Sequence, residues 1–418
     1  MGPEDWTLRL IFVRVLKNKW ARKSGGGQSC RYHDNSTRLA NHHGFGSFSF
    51  KQFTESLEAQ VTRNLLQTLL PQSNATVRPS MNSNQHQPPR AATGPATPIA
   101  TPQDVGNLSK KIIANVEQAI VGKRKQLILS LVTWLSGGHL LLEDVPGVAK
   151  TMLARALARS VGCQFKRVQC TPDLLPTDVT GTSIFNQKSG EFEFRAGPVF
   201  TQILLADEIN RATPRTQASL LEAMAESRVT ADGITHLLEP PFVVIATQNP
   251  VDHEGTFPLP EAQLDRFMMK FSLGYPSMEE ELRMLELMQH QHPVDTLQAV
   301  TSAAEIKAAQ QVIRGVHVDP RVRQYLLQIV AETRRHSDIA LGGSPRATIA
   351  LFRCAQAMAA VLGRSYVLPD DIKKIVAPVM NHRVIIRPES RLRKVTAEKV
   401  IEEIVGEIAV PTIQPNAS

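Results

Sequence analysis

The segment His139-Leu-Leu-Leu-Glu-Asp-Val-Pro-Gly-Val-Ala-Lys-Thr151 restricts the fold of this chain more than any other. Three leucines form an apolar strand, and Pro146 and Gly147 form a turn. Lys150 and Thr151 then open a helix with Met152, Leu153, Ala156, Leu157 and Val161 on one face. Strand, tight turn and helix start in that order are the layout of a phosphate-binding loop. Asp144, Val145, Pro146, Gly147, Val148 and Ala149 would cradle phosphates on backbone N–H groups. Lys150 would reach the outer phosphate oxygens, and the Thr151 hydroxyl would ligate Mg²⁺. The usual pattern, G-x-x-x-x-G-K-[ST], is not met, because Asp144 and Ala149 stand where the two glycines belong. Asp144 is expected to add a carboxylate beside the phosphates and weaken anion binding. A left-handed Ala149 would cost about 1–2 kcal/mol, so Ala149 is expected at negative φ. A surface lysine on an ordinary strand–turn–helix is the alternative reading. Against it, a cation at the positive end of a helix is unfavourable unless an anion lies between them.

From about residue 105 onward, helical apolar spacing over Leu108–Ile120 and Gln126–Leu135 leads into this strand. Further apolar strands follow at Phe165–Val168, Ile203–Ala206, Phe242–Ala246 and Met268–Leu273, separated by helices or longer connections. Alternation of this kind predicts a parallel sheet covered on both faces, with ligands bound at the carboxyl ends of the strands.

Two more motifs fall at such ends. Ile203-Leu-Leu-Ala-Asp-Glu208 closes an apolar strand with adjacent carboxylates. In that arrangement Asp207 would hold Mg²⁺ through water, and Glu208 would orient and deprotonate an attacking water. Two neighbouring acids repel each other without a cation nearby. Phe242-Val-Val-Ile-Ala-Thr-Gln-Asn-Pro250 ends a buried strand in Asn249, which Pro250 biases to an extended conformation. An amide there can reach both a terminal phosphate and a water, although Asn-Pro is also an ordinary turn.

With these residues in place the chain resembles the MoxR family of AAA+ ATPases over residues 105–410. The resemblance rests on Leu205-Ala-Asp-Glu-Ile-Asn-Arg-Ala212, Gln217-Ala-Ser-Leu-Leu-Glu-Ala-Met224, Thr247-Gln-Asn-Pro250, Pro258-Leu-Pro-Glu-Ala-Gln-Leu-Asp-Arg-Phe267 and Gly343-Ser-Pro-Arg346. It implies an α/β fold: an AAA+ P-loop core over 105–275 with a five-stranded parallel sheet of order 5-1-4-3-2, an all-α lid over 276–412, and a tail at 413–418. It also implies Mg²⁺-dependent ATP hydrolysis by a ring, expected as a hexamer, coupled to remodelling or maturation of a client protein complex. A von Willebrand factor A domain protein is an expected partner. Asn249 matches sensor 1, Arg266 the arginine finger supplied to a neighbouring subunit, and Arg346 sensor 2. The alternative for Asp265-Arg266 is an ion pair capping a helix. Ser344 suits an N-cap and Pro345 the first helical position, which puts Arg346 in a first turn. One triphosphate between Arg346 and Lys150 would relieve both cations. Hairpins over Thr182–Phe194 and Val229–Leu238, turning at Ser189-Gly190 and Asp232-Gly233, resemble the helix-2 insert and pre-sensor-1 hairpins of this clade. Phe192 and Phe194 would either grip a client or pack within a sheet. Beyond Pro276 the pattern is helical throughout, beginning with Met278–Gln291.

The net charge of +8 suggests nucleic acid until it is mapped. Residues 1–105 hold twelve Lys/Arg against six Asp/Glu, hence +6, leaving +2 for the rest. Residues 1–104 read as disordered, with 71–104 rich in Pro, Gln, Asn and Thr. A start of translation at Met81 is preferred there over a basic nucleic-acid arm. A nucleic-acid translocase or loader and the motor subunit of a metal chelatase are the alternative functions. A non-hydrolysing switch is disfavoured by the presence of Glu208, Asn249 and Arg266. No apolar run approaches a membrane span. Cys30, Cys163, Cys170 and Cys354 lack metal or disulfide spacing, which fits a reducing cytoplasm.

Overall fold

The computed structural model describes residues 99–250, 255–288 and 293–411, all within the contact unit Gln85–Ser418. The readings for residues 1–98 and 412–418 lie outside the described residues. Helix α1 (Pro102–Val116) starts ahead of the boundary expected at 105, so the disorder expected for 1–104 is corrected at its end. A reciprocal cap explains the earlier start. The Thr101 hydroxyl accepts the Asp104 N–H at 3.2 Å, and Asp104 Oδ2 accepts the Thr101 N–H at 2.9 Å.

Helix α2 (Arg124–Leu135) leads to strand β1 (Leu140–Glu143), then α3 (Lys150–Val161) and β2 (Phe165–Gln169). Strand β3 (Ile203–Asp207), helix α4 (Pro214–Glu226), strand β4 (Val243–Gln248) and strand β5 (Met269–Phe271) complete the nucleotide-binding part. All neighbouring strands are parallel, in the order β2-β3-β4-β1-β5. Read from the β5 edge this is the expected 5-1-4-3-2. Successive side chains of a strand face opposite ways, and the core divides accordingly. Leu140, Leu142, Ile203, Leu205, Val243 and Ile245 join α1–α3 on one face. Leu141, Leu204, Ala206, Val244 and Ala246 join Leu220, Leu221 and Met224 of α4 on the other.

The C-terminal part consists mainly of α5 (Met278–Met288), α6 (Ala303–Ile313), α7 (Pro320–Thr333), α8 (Pro345–Val361), α9 (Pro369–Met380) and α10 (Ala397–Glu407). The end expected for α5 at Gln291 lies outside the described residues. The all-α expectation is corrected by a short antiparallel pair, Ile339–Leu341 with Ile385–Ile386. Ile339 and Ile386 are buried there, and their β-branched side chains favour extended backbone. Helix α8 packs on α1 and α2, and one apolar cluster runs through both parts without a break. Gly106 permits that packing, since a Cβ on it would lie 2.6 Å from the Gly363 Cα.

Two antiparallel hairpins stand apart from the main sheet. Gly181–Asn186 pairs with Glu191–Ala196, and Arg228–Ala231 pairs with Ile234–Leu237. Gly190, Asp232 and Gly233 adopt the positive φ their turns require. No helix among the described residues is long and apolar enough to cross a membrane.

Candidate active site at the carboxyl ends of the strands

The loop after β1 is built around a lysine held by its own backbone. Lys150 is buried, and its ammonium donates to the Asp144 carbonyl at 2.7 Å. Val148 is anchored in the core, while Pro146 and Gly147 are exposed. Ala149 sits at φ 64°, in the left-handed region, which corrects the expectation of a negative φ. The chain must reverse hand there to pass from the loop into α3, with Gly147 also at φ 89°. Asp144 is corrected as well. Its carboxylate accepts the N–H groups of Leu273 and Gly274, the latter at 3.0 Å. It ties the loop to the chain leaving β5 instead of facing a phosphate. Helices α1, α4, α6, α7, α8 and α10 each begin with a Thr, Ser or Asp side chain accepting a backbone N–H. Helix α3 begins with no side-chain cap. Helix N-termini favour anions, and this one opens with Lys150 and Thr151.

The acidic pair lies two strands away. Asp207 Oδ1 accepts the Thr247 hydroxyl at 2.6 Å, and the same hydroxyl oxygen accepts the Glu208 N–H at 2.8 Å. Thr247 of β4 thus fixes both residues at the end of β3. Glu208 stands at φ 56°, a strained conformation for a residue other than glycine and typical of functional sites. Its Oε2 accepts from Gln169 at 3.0 Å and from Arg211 at 3.4 Å. Arg167 donates to Asp207 Oδ2 through Nε at 3.0 Å and Nη2 at 2.7 Å. Sequence reading missed Arg167, Gln169, Arg211 and Thr247. The alternation of Arg167 and Gln169 on β2 was the available signal, since residues two apart share a face. Asn249 follows β4 and is buried, and its carbonyl accepts from Asn210 at 3.4 Å. Three adjacent strand ends, those of β3, β4 and β1, therefore gather Asp207, Glu208, Asn249 and the loop on one edge of the sheet.

Arg266 and Arg346 belong to the opposite edge. The Met268 N–H donates to the His139 carbonyl at 2.8 Å, level with the start of β1. The exposed Arg266 thus precedes the amino ends of the strands. The Ser344 hydroxyl caps α8 and donates to Asp265 Oδ2 at 3.1 Å, which brings the exposed Arg346 to the same region. A triphosphate between Lys150 and Arg346 would therefore have to meet Arg346 from the other edge of the sheet. Helix α8 packs on α1 and α2. Asp265 does not pair with Arg266 either; its Oδ1 lies 2.8 Å from Nε of the buried Arg383.

The hairpins separate the two phenylalanines. Phe192 is 74% exposed, its ring 5.3 Å from Phe185. Phe194 instead stacks on His236 at 4.0 Å and meets Phe200 edge-on. Cys163, Cys170 and Cys354 are buried free thiols, each pushed up by burial to about 12, and are chemically inert.

Comparison with known proteins finds relatives along most of the described chain. Residues 139–269 match the family described as the ATPase family associated with various cellular activities (AAA), and residues 331–404 match the AAA lid domain. The chain is 49% identical to YeaC of Bacillus subtilis, an uncharacterised protein, over 75% of this chain and 98% of that one. It is 38% identical to Chaperone MoxR1 of Mycobacterium tuberculosis, over 78% of this chain and 86% of that one. A crystal structure from Cytophaga hutchinsonii is 39% identical and superposes with a TM-score of 0.70, covering 74% of this chain and 97% of its own.

Proposed function

The chain belongs to the MoxR family of AAA ATPases and is an ATP-binding ATPase; from that premise we propose that it works as a Mg²⁺-dependent ring that remodels or matures a protein complex. The position of Arg266 carries the ring. It lies at the amino edge of the strands and the phosphate loop at the carboxyl edge, so Arg266 can serve only the nucleotide of a neighbouring copy. Arg346, beside it, serves that same neighbouring nucleotide. A head-to-tail arrangement of this kind closes into a ring.

Within each site, Lys150 and the uncapped start of α3 bind the phosphates. Thr151 and Asp207 would hold Mg²⁺, which is bound by few protein oxygens together with phosphates and water. The donors fit: both are oxygens, and no cluster of three or more His, Cys, Asp or Glu among the described residues competes as a metal cage. When bound, the ion neutralises charge on the phosphates. Glu208 takes the proton of the attacking water, and Asn249 orients that water. Arg266 and Arg346 of the neighbour stabilise charge on the transferred phosphoryl group.

Exposed apolar side chains on the hairpins, Phe185, Phe192, Ile234 and Leu237, support a protein client. A von Willebrand factor A domain protein is the proposed partner, and the buried free thiols support a cytoplasmic location. Glu208→Gln is expected to lose on the order of 10²–10⁴ in kcat, the usual worth of a positioned base, while binding of ATP measured by calorimetry is retained. Undiminished turnover would refute the role of Glu208. The same variant, locked with ATP, should retain the client in a pull-down.

A further inference from the structure

We propose that Arg383 is a positioning residue that fixes the trans-acting Arg266 and couples it to Arg346. Arg383 follows α9 and is buried, yet every part of its guanidinium is engaged. Nη2 donates to the carbonyls of Asp265 at 3.2 Å and Phe267 at 2.6 Å, the two residues flanking Arg266. Nη1 donates to the Met268 carbonyl at 3.0 Å and to the Val379 carbonyl, and Nε reaches Asp265 Oδ1 at 2.8 Å. His382, held neutral by burial and by the neighbouring Arg383 charge, meets the Phe267 carbonyl at 3.0 Å. A single planar cation from the C-terminal part thus clamps the backbone on both sides of an exposed arginine.

The clamp reaches further through Asp265. Its other carboxylate oxygen accepts the Ser344 hydroxyl at 3.1 Å, and Ser344 caps the helix that carries Arg346 in its first turn. One carboxylate therefore joins the mount of Arg266 to the mount of Arg346. Stability alone does not call for this arrangement, because a buried ion pair is often no better than packed apolar side chains. A planar fork holding several acceptors does supply geometry, which a lysine point charge cannot. Catalytic groups displaced by about 1 Å lose on the order of 10²-fold in rate.

The proposal rests on the reading that Arg266 acts on a neighbour's nucleotide, and mixed rings separate the two. Arg266→Ala protomers keep a working site and lack the finger; Glu208→Gln protomers keep the finger and lack the base. Mixing the two should restore ATP hydrolysis, and failure at this step overturns the trans reading itself. Arg383→Lys is then added to the Glu208→Gln protomer. The restored kcat is expected to fall on the order of 10²-fold with the KM for ATP unchanged. Arg383→Lys on the Arg266→Ala protomer, whose finger is already missing, should add no further loss. Equal losses from either protomer, or no loss from either, would overturn the role of Arg383. If Arg383→Lys protomers do not enter rings, Asp265→Asn, which keeps the acceptor and removes the charge, runs through the same design with the same two outcomes.

Discussion

Ala149 and Asp144 occupy the two positions where glycine is usual, and each is accommodated by a different device. Position 149 takes the left-handed conformation regardless of its side chain, since the turn into α3 demands it. Alanine there bears a cost of about 1–2 kcal/mol, partly offset because glycine would lose more chain entropy on folding. Ala149→Gly is therefore expected to stabilise the protein by about 0.5–1 kcal/mol, read as a higher urea midpoint at unchanged slope. A lower midpoint would mean that the alanine methyl is needed where it is. Position 144 is settled by the neighbour it meets: Leu273 and Gly274 present N–H groups that a carboxylate can bridge. The places of Asp207, Glu208 and Asn249 were legible because each lies at the end of an apolar strand, and those of Lys150 and Thr151 because they open the helix after the turn that follows β1. The backbone hand of Ala149 and the direction of Asp144 were not, because both depend on partners outside the motif. Arg383 was still less visible, since 118 residues separate it from Asp265.

At the scale of elements, strands and hairpin turns were readable from apolar runs and from Asp232-Gly233, whereas the junctions between elements were not. His139 is such a junction. It precedes β1, its Nε2 meets the Met224 carbonyl at the end of α4 at 2.9 Å, and its Nδ1 accepts the Val244 N–H of β4 at 3.0 Å. Accepting at Nδ1 requires the neutral ring, and burial lowers its pKa to about 4, a shift only partly opposed by the Met224 carbonyl. The unfolded chain binds this proton with a pKa near 6.5, so between about 4 and 6.5 it holds more protons than the folded one. Stability from this group is full above that window and is lost as pH falls through it. From pH 7.5 to pH 5 the loss is about 2 kcal/mol. Urea unfolding should show His139→Gln to be less stable at pH 7.5 but shallower in its decline towards pH 5 by that amount. Parallel declines in the two proteins would mean that His139 is not the titrating group.

At the scale of the whole molecule, the proposed function divides its residues across the sheet, phosphate-binding groups on one edge and the arginines on the other. The strands are parallel, so the phosphate loop, Glu208 and Asn249 share one edge, and Arg266 and Arg346 share the other. Strand β1 alone spans four residues, about 13 Å at the usual rise per residue, before the loop begins. Arg266 precedes the strand start that His139 and Met268 mark, so this span lies between it and the loop. The C-terminal helices reinforce the separation from sites just ahead of β1: Gln310 donates to the Trp134 carbonyl at 2.8 Å, and Ser136 lies 3.8 Å from Cys354. On the proposed reading, a lone protomer would hold a phosphate cradle and a base without the positive charge that meets the developing phosphoryl group. ATPase activity per protomer should rise with protein concentration and level off once assembly is complete. Arg266→Ala should remain at the low value throughout, the missing finger costing on the order of 10³-fold or more, while light scattering shows the same assembly. Activity independent of concentration below the assembly midpoint would mean that one chain can complete its own site, and the division of labour across the sheet would have to be abandoned.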